Sequence, residues 1–218
     1  MQSAYLWAAT LGLPDTRTYT RSLRPNFGKH DGIFRIQLIA PSIGAPFPFN
    51  RAVECLASNL EIETYNLRIG KIIDGVVWKN TLAADSLLKA MRAVSTWKQA
   101  GRMYWGRWAQ MQRIECAANG KRWNIPNLAL NIPWAHLIVS RVKMRLWENA
   151  SNAVHVFVDS VITPDTLKTG TNLGDWRLEK TYQNGVLIRK PGQYGAMDSP
   201  YLDRMAGVAI NSPLRQTA

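Results

Sequence analysis

The chain has 218 residues, 46% hydrophobic and 19% charged, and its 27 Lys and Arg against 15 Asp and Glu give a formal net charge of +12. That composition excludes a disordered chain, and no apolar run approaches the ~20 residues that span a bilayer. The cation excess, with a pI near 10.0, suits a polyanionic partner, nucleic acid ahead of an anionic membrane.

Residues 4–11 read as a short apolar helix stopped at Leu13-Pro14-Asp15, and 16–31, with Arg17, Arg21, Arg24, Pro25 and Lys29, as an exposed basic loop. Period-two alternation over 32–39 predicts a strand ending at Pro41. Residues 51–59 suit a short helix, and 61–66 and 68–78 two strands, with Asp74-Gly75 a candidate hairpin turn. The best helical pattern runs from about Leu82 to Met111, interrupted by Gly101 and Gly106. A turn at Asn119-Gly120-Lys121 leads towards a second long helix over about 134–149, where Ile138, Val142 and Leu146 recur at four-residue spacing. Strands over 154–162, 173–182 and 185–190 follow, the last two joined at Gln183-Asn184-Gly185, and the tail from Pro200 is weakly patterned. Without repeats or a clear linker, one mixed α+β domain is the economical expectation.

Nine Trp is a high count, and several flank a cation: Trp78-Lys79, Trp97-Lys98, Arg107-Trp108, Arg122-Trp123 and Trp176-Arg177. Such interleaving suits stacked bases and phosphates; the competing reading is core Trp beside solvated charge. Cys55 and Cys116 stand far apart without ligand spacing and read as reduced, buried thiols. With no basic n-region at the start of the chain, a cytoplasmic setting is expected, in a bacterial host cell if the gene is carried by a phage or plasmid.

The chemistry concentrates in Val154-His155-Val156-Phe157-Val158-Asp159-Ser160-Val161-Ile162, a β-branched run that places one carboxylate inside an apolar strand. An unpaired buried carboxylate costs several kcal/mol, so it meets a metal, a cation or a set of donors; the alternative is a strand-end turn with a solvated Asp. Two further segments carry matching chemistry. Lys98-Gln99-Ala100-Gly101-Arg102-Met103-Tyr104-Trp105-Gly106 sets Lys98 and Arg102 on one helix face, and Leu173-Gly174-Asp175-Trp176-Arg177-Leu178-Glu179 precedes Lys190-Pro191-Gly192-Gln193-Tyr194.

Together with the opening Met1-Gln2-Ser3-Ala4-Tyr5-Leu6-Trp7-Ala8, these segments resemble, in order, the palm and fingers of family B DNA polymerases, in particular the short phage and plasmid type related to protein-primed enzymes. The resemblance covers nearly the whole chain and implies an α+β fold, a palm-like antiparallel sheet backed by helices with a reduced helical fingers element. It would fill 1–195, with the fingers helix at about 82–111 and 196–218 a weakly structured tail. It implies DNA-templated nucleotidyl transfer in DNA replication, with Mg2+ or Mn2+ as cofactor and DNA and deoxynucleoside triphosphates as partners. Asp159 becomes the catalytic metal ligand, Lys98 and Arg102 grip the triphosphate, Tyr5 lies under the sugar and Trp105 stacks on the base. Lys190, Tyr194 and Arg113 become DNA contacts.

The departures are also specific. The family's first metal-binding Asp would fall one position before Met1, Phe157 takes the leading acidic position of the strand motif, and Gly192 takes the lysine position of its Lys-x-Tyr element, with Lys190 close by. Arg102, Met103 and Trp105 replace Asn, Ser and Tyr of the helix motif. With one certain carboxylate, the site is expected to be inactive or very weak alone. Asp175 or Glu179 is a candidate spare ligand, against a plain surface pairing with Arg177 or Lys180. His30, His136 and His155 show no ligand spacing and read as structural, His136 as a hydrogen-bonded core histidine. Two other readings stay open. One is a non-catalytic nucleic-acid-binding protein using Lys98, Arg102, Arg107, Arg113, Lys121, Arg122, Arg141 and Lys143. The other is one subunit of a split polymerase whose protein partner supplies the missing elements.

Overall fold

The computed structural model describes residues 4–26, 30–42, 45, 49–50, 53–82, 111–115, 122–126, 131–150, 152–157, 159–190, 192–199, 201–205 and 208–213, with backbone only for 111–115, 122–126, 201–205 and 208–213. The chain divides into two compact units, Ser3–Arg145 and Leu146–Ala218 with Met1–Gln2. Both are built of antiparallel sheets with few helices, so the expected α+β class holds. The expected fingers helix lies outside the described residues.

The larger unit opens with α1 (Ala4–Thr10), whose Ala4, Leu6, Ala8 and Ala9 are buried. It ends at Gly12, in the left-handed region at φ +89°, where a Cβ would also meet the Thr81 methyl at 2.6 Å. Strand β1 (Leu13–Pro14) pairs with β6 (Thr81–Leu82). The main sheet has the order β2-β5-β3-β4, from β2 (Tyr19–Arg21), β3 (Asp31–Leu38), β4 (Glu54–Ser58) and β5 (Ile69–Trp78). The alternation predicted over 32–39 is there: Phe34, Ile36 and Leu38 enter a core with Ala57, Ile62, Tyr65, Leu67, Val77 and Phe49.

Three local expectations change. Residues 54–58 are a strand, not a helix, because they pair with β3 from Ile33↔Ser58 to Gln37↔Glu54; the ladder overrides local propensity. Residues 61–66 are largely helical, in α2 (Asn59–Thr64), started by a capping box. Ser58 Oγ accepts from Glu61 N at 3.1 Å, and Glu61 Oε2 accepts from Ser58 N at 2.9 Å. Asp74-Gly75 makes no hairpin turn. β5 runs straight through it with a register shift opposite Arg35–Ile36, and Gly75 leaves room for the Phe34 ring, the usual meaning of a glycine inside a strand.

The predicted long helix is α3 (Ile132–Asn149), with Asn131 Oδ1 accepting from Trp134 N at 3.2 Å as its cap. Ile138, Val142 and Leu146 are buried at the expected spacing. Hairpin β7 (Met111–Glu115) with β8 (Arg122–Pro126) is described by its backbone pairing.

In the smaller unit, the run expected as one strand over 154–162 is a hairpin, β9 (His155–Phe157) with β10 (Ser160–Ile162), paired Phe157↔Ser160, Val156↔Val161 and His155↔Ile162. The segment 173–182 is not a strand. Asp175 Oδ2 accepts from Asn172 N at 2.8 Å, and Gly174 sits at φ +84°, so turn chemistry wins there, leaving one bridge, Thr169↔Trp176. A four-stranded sheet follows in the order β11 (Val186–Lys190), β12 (Gln193–Ala196), β13 (Tyr201–Met205), β14 (Val208–Pro213). Its last two strands occupy the tail that is weakly patterned in sequence.

Candidate functional site

Asp159 stands in the turn between β9 and β10, immediately before Ser160, and is half-buried. Asp159 therefore sits in a turn and not inside a strand. Ser160 Oγ donates to Phe157 O at 2.8 Å and tightens that turn. The hairpin meets the β11–β12 turn of the same unit. The His155 and Tyr194 rings are 5.7 Å apart, edge to face, and Gly192 N–H donates to His155 Nε2 over a long 3.4 Å. Burial holds the His155 imidazole below its ordinary pKa, which favours the neutral acceptor form.

Gly192 is at φ +75°, and a Cβ there would lie 2.8 Å from Phe157 Cζ. A lysine therefore does not fit at 192 beside Phe157. Lys190 is exposed at the end of β11, opposite Gln193, and Tyr194 is buried opposite Ile188. The turn thus offers one solvent-facing cation and one ring used in packing.

The other expected site residues are more scattered. Tyr5 lies on α1 in the larger unit and is half-buried. Arg113 is on β7, opposite Asn124, with only its backbone described. Lys98, Arg102 and Trp105 lie outside the described residues, as do Lys121 and Arg107. Glu179 takes the plain alternative, an exposed pair with Arg177 at 3.0 Å, and Asp175 serves the Asn172 turn. Among the described residues no group of three Asp, Glu, His or Cys gathers to hold a metal.

Two cations expected on a DNA-binding face make ion pairs within the larger unit. Arg141 is 7% exposed; it donates to the Ala8 and Gly12 carbonyls and to Asp31 at 3.2–3.3 Å, tying α3 to α1 and β3. Lys143 Nζ lies 3.9 Å from Glu61 Oε1. Glu61 itself, 1% exposed, was missed as a buried, paired carboxylate because its segment read as a strand; the Ser58-Asn59-Leu60-Glu61 capping box was the available signal. His136 Nε2 approaches Glu61 Oε2 to 3.4 Å, outside the geometry of an aligned hydrogen bond. Burial works to raise the Glu61 pKa, but His136, the Ser58 N–H and Lys143 together hold it below the carboxylate range. Of the cation-flanked Trp residues, Trp78 and Trp176 are core. Cys55 is free and half-buried, and burial pushes its thiol pKa up.

No family model and no curated protein sequence matches the chain. Among solved structures, it is similar to Phi29 DNA polymerase complexed with primer-template DNA, a post-translocation binary complex, with a TM-score of 0.52 and 12% sequence identity. The match covers 89% of this chain and 43% of that polymerase, so the chain spans less than half of its length. The fold is polymerase-like. No helix among the described residues is long and apolar enough to cross a membrane.

Proposed function

We propose that this chain is a palm region of a family B-type DNA polymerase, of the phage and plasmid kind, that binds DNA for DNA-templated nucleotidyl transfer. The observation that carries the reading is the fold likeness to a polymerase solved with primer-template DNA, over 89% of the chain. The sequence motifs and a net charge of +12 support it. In this reading Lys190 and Arg113 contact DNA phosphates, and Tyr194 braces the turn that presents Lys190. Lys98 and Arg102 grip a nucleoside triphosphate; Trp105 and Tyr5 contact base and sugar.

Asp159 contributes one carboxylate towards Mg2+ or Mn2+, which would neutralise phosphate charge. One carboxylate does not complete a site for a hard cation that takes six or more oxygen ligands, so nucleotide phosphate and water would supply much of the shell. Titrating the chain with Mn2+, followed by electron paramagnetic resonance, tests the role. Asp159→Asn should abolish binding while leaving affinity for primer-template DNA within about twofold, because the cations that contact phosphate are retained. Unchanged Mn2+ binding in the variant overturns the assignment.

Phe157 favours a second reading. Its ring fills space against Gly192 where the resembling family carries an acidic residue and a lysine. A non-catalytic DNA-binding role fits that exchange, and the same titration separates the two.

A further inference from the structure

Strand β2 is an edge of the main sheet: among the described residues it pairs with β5 alone, Tyr19↔Trp78, Thr20↔Val77 and Arg21↔Val76. An open edge presents unpaired backbone groups, and proteins ordinarily blunt it with charge. Here the charge is of one sign. Tyr19 is 59% exposed, Arg21 is exposed, and Arg24 follows in a turn where Ser22 N–H donates to Gly75 O at 3.0 Å. Lys79, exposed, comes directly after Trp78, the residue opposite Tyr19.

The nearby acids are engaged. Asp15 is held by Arg17 in a two-point pair at 2.8 Å, Asp31 by Arg141, and Asp74 Oδ1 accepts from Gly75 N. Among the described residues, no salt bridge occupies Arg21, Arg24 or Lys79. An exposed aromatic flanked by unspent cations along one edge is the arrangement that takes a stacked base between phosphates. Charge and ring together match a single nucleic-acid strand better than a lipid surface, which asks for an apolar helix face.

We propose that the β2 edge is a track for single-stranded DNA, with Tyr19 stacking on a base and Arg21, Arg24 and Lys79 neutralising phosphates. This rests on the proposed DNA-binding role and adds a contact surface outside the Asp159 hairpin. The test is fluorescence anisotropy of a labelled oligothymidylate with the full chain across a salt series. Tyr19→Ala should weaken binding about tenfold. The double variant Arg21→Ala, Arg24→Ala should lower the slope of log affinity against log salt by about 1.4, or ~0.7 per phosphate contact. A control of equal charge change, Lys168→Ala with Arg177→Ala, should leave that slope unchanged, and matching melting temperatures establish that all variants fold.

If the control loses as much slope as the edge variant, or if Tyr19→Ala binds like wild type, the edge is not the track and the DNA-binding role survives. Failure of the wild-type chain to bind the oligonucleotide at all overturns both. Binding to phosphatidylglycerol vesicles in place of the oligonucleotide overturns the choice of DNA.

Discussion

The Phe157 ring packs against Gly192, so closely that a Cβ at position 192 would stand 2.8 Å from Phe157 Cζ. Gly192 also holds a left-handed φ of +75°, which side chains rarely adopt. The resemblance read from the sequence would put an acidic residue and a lysine at these two positions. The structure shows that the departures meet. A bulky ring on β9 and a bare backbone at the β11–β12 turn form one contact that fixes the Asp159 hairpin beside Lys190.

That contact gives a direct stability prediction. Gly192→Ala should cost about 2–3 kcal/mol, summing backbone strain and overpacking. Removing the ring with Phe157→Ala in the same chain should recover the overpacking share and leave the strain, about 1 kcal/mol. Urea unfolding midpoints of both singles and the double close this cycle. Strict additivity would contradict the contact.

His155 predicts a pH effect in the same place. Its folded pKa is depressed below the usual 6.5 by burial, so the folded state binds fewer protons than the unfolded one. Its contribution is present above pH 6.5 and lost as pH falls through the lower folded value. Protonation also removes the acceptor for Gly192 N–H. His155→Gln, which does not titrate, should therefore lose less stability than wild type on going from neutral pH into that window, measured by thermal melts. Parallel profiles would contradict the assignment.

Glu61 acts in a separate, more acidic window. Its folded pKa lies below the ordinary 4.5, so its stabilisation is present above 4.5 and disappears as pH falls through the folded value. Glu61→Gln should cost about 1–3 kcal/mol at neutral pH, as for a lost charged hydrogen-bond set. The gap to wild type should close on acidification. A gap that stays constant to low pH would show that His136 and Lys143 add nothing through charge.

Arg141 should behave as a structural cation. Arg141→Met leaves Asp31 and two carbonyls without their donor, at a cost of about 3–5 kcal/mol. Asp31→Asn in addition should recover part of that loss. Lys190→Ala, at an exposed position, should leave the melting temperature unchanged. A stable Arg141→Met that binds DNA poorly would return Arg141 to the DNA-binding face.

Much of the fold was legible where periodicity is strong. Phe34, Ile36 and Leu38 alternate into the core, and Ile138, Val142 and Leu146 line a buried helical stripe. What escaped was set by partners distant in sequence or by local polar geometry. Residues 54–58 are a strand because β3 pairs with them. Asp74-Gly75 stays inside β5, paired with Arg35 and Phe34, because the Phe34 ring takes the space a side chain at 75 would need, and 173–182 turns because Asp175 captures the Asn172 amide. The apolar run around Asp159 singles out that carboxylate in the sequence, but its place in a turn depends on the pairing of Phe157 with Ser160. Composition could not separate buried Arg141 from exposed Arg21, since burial comes from tertiary packing.

The central claim is that this polymerase-like fold binds DNA. The most direct measurement is anisotropy of a labelled primer-template duplex titrated with the purified chain at two salt concentrations. The account predicts saturable binding that weakens by about 10³-fold between ~50 mM and ~200 mM salt, as six or so phosphate contacts require. No saturable binding at the lower salt, or affinity indifferent to salt, would contradict it.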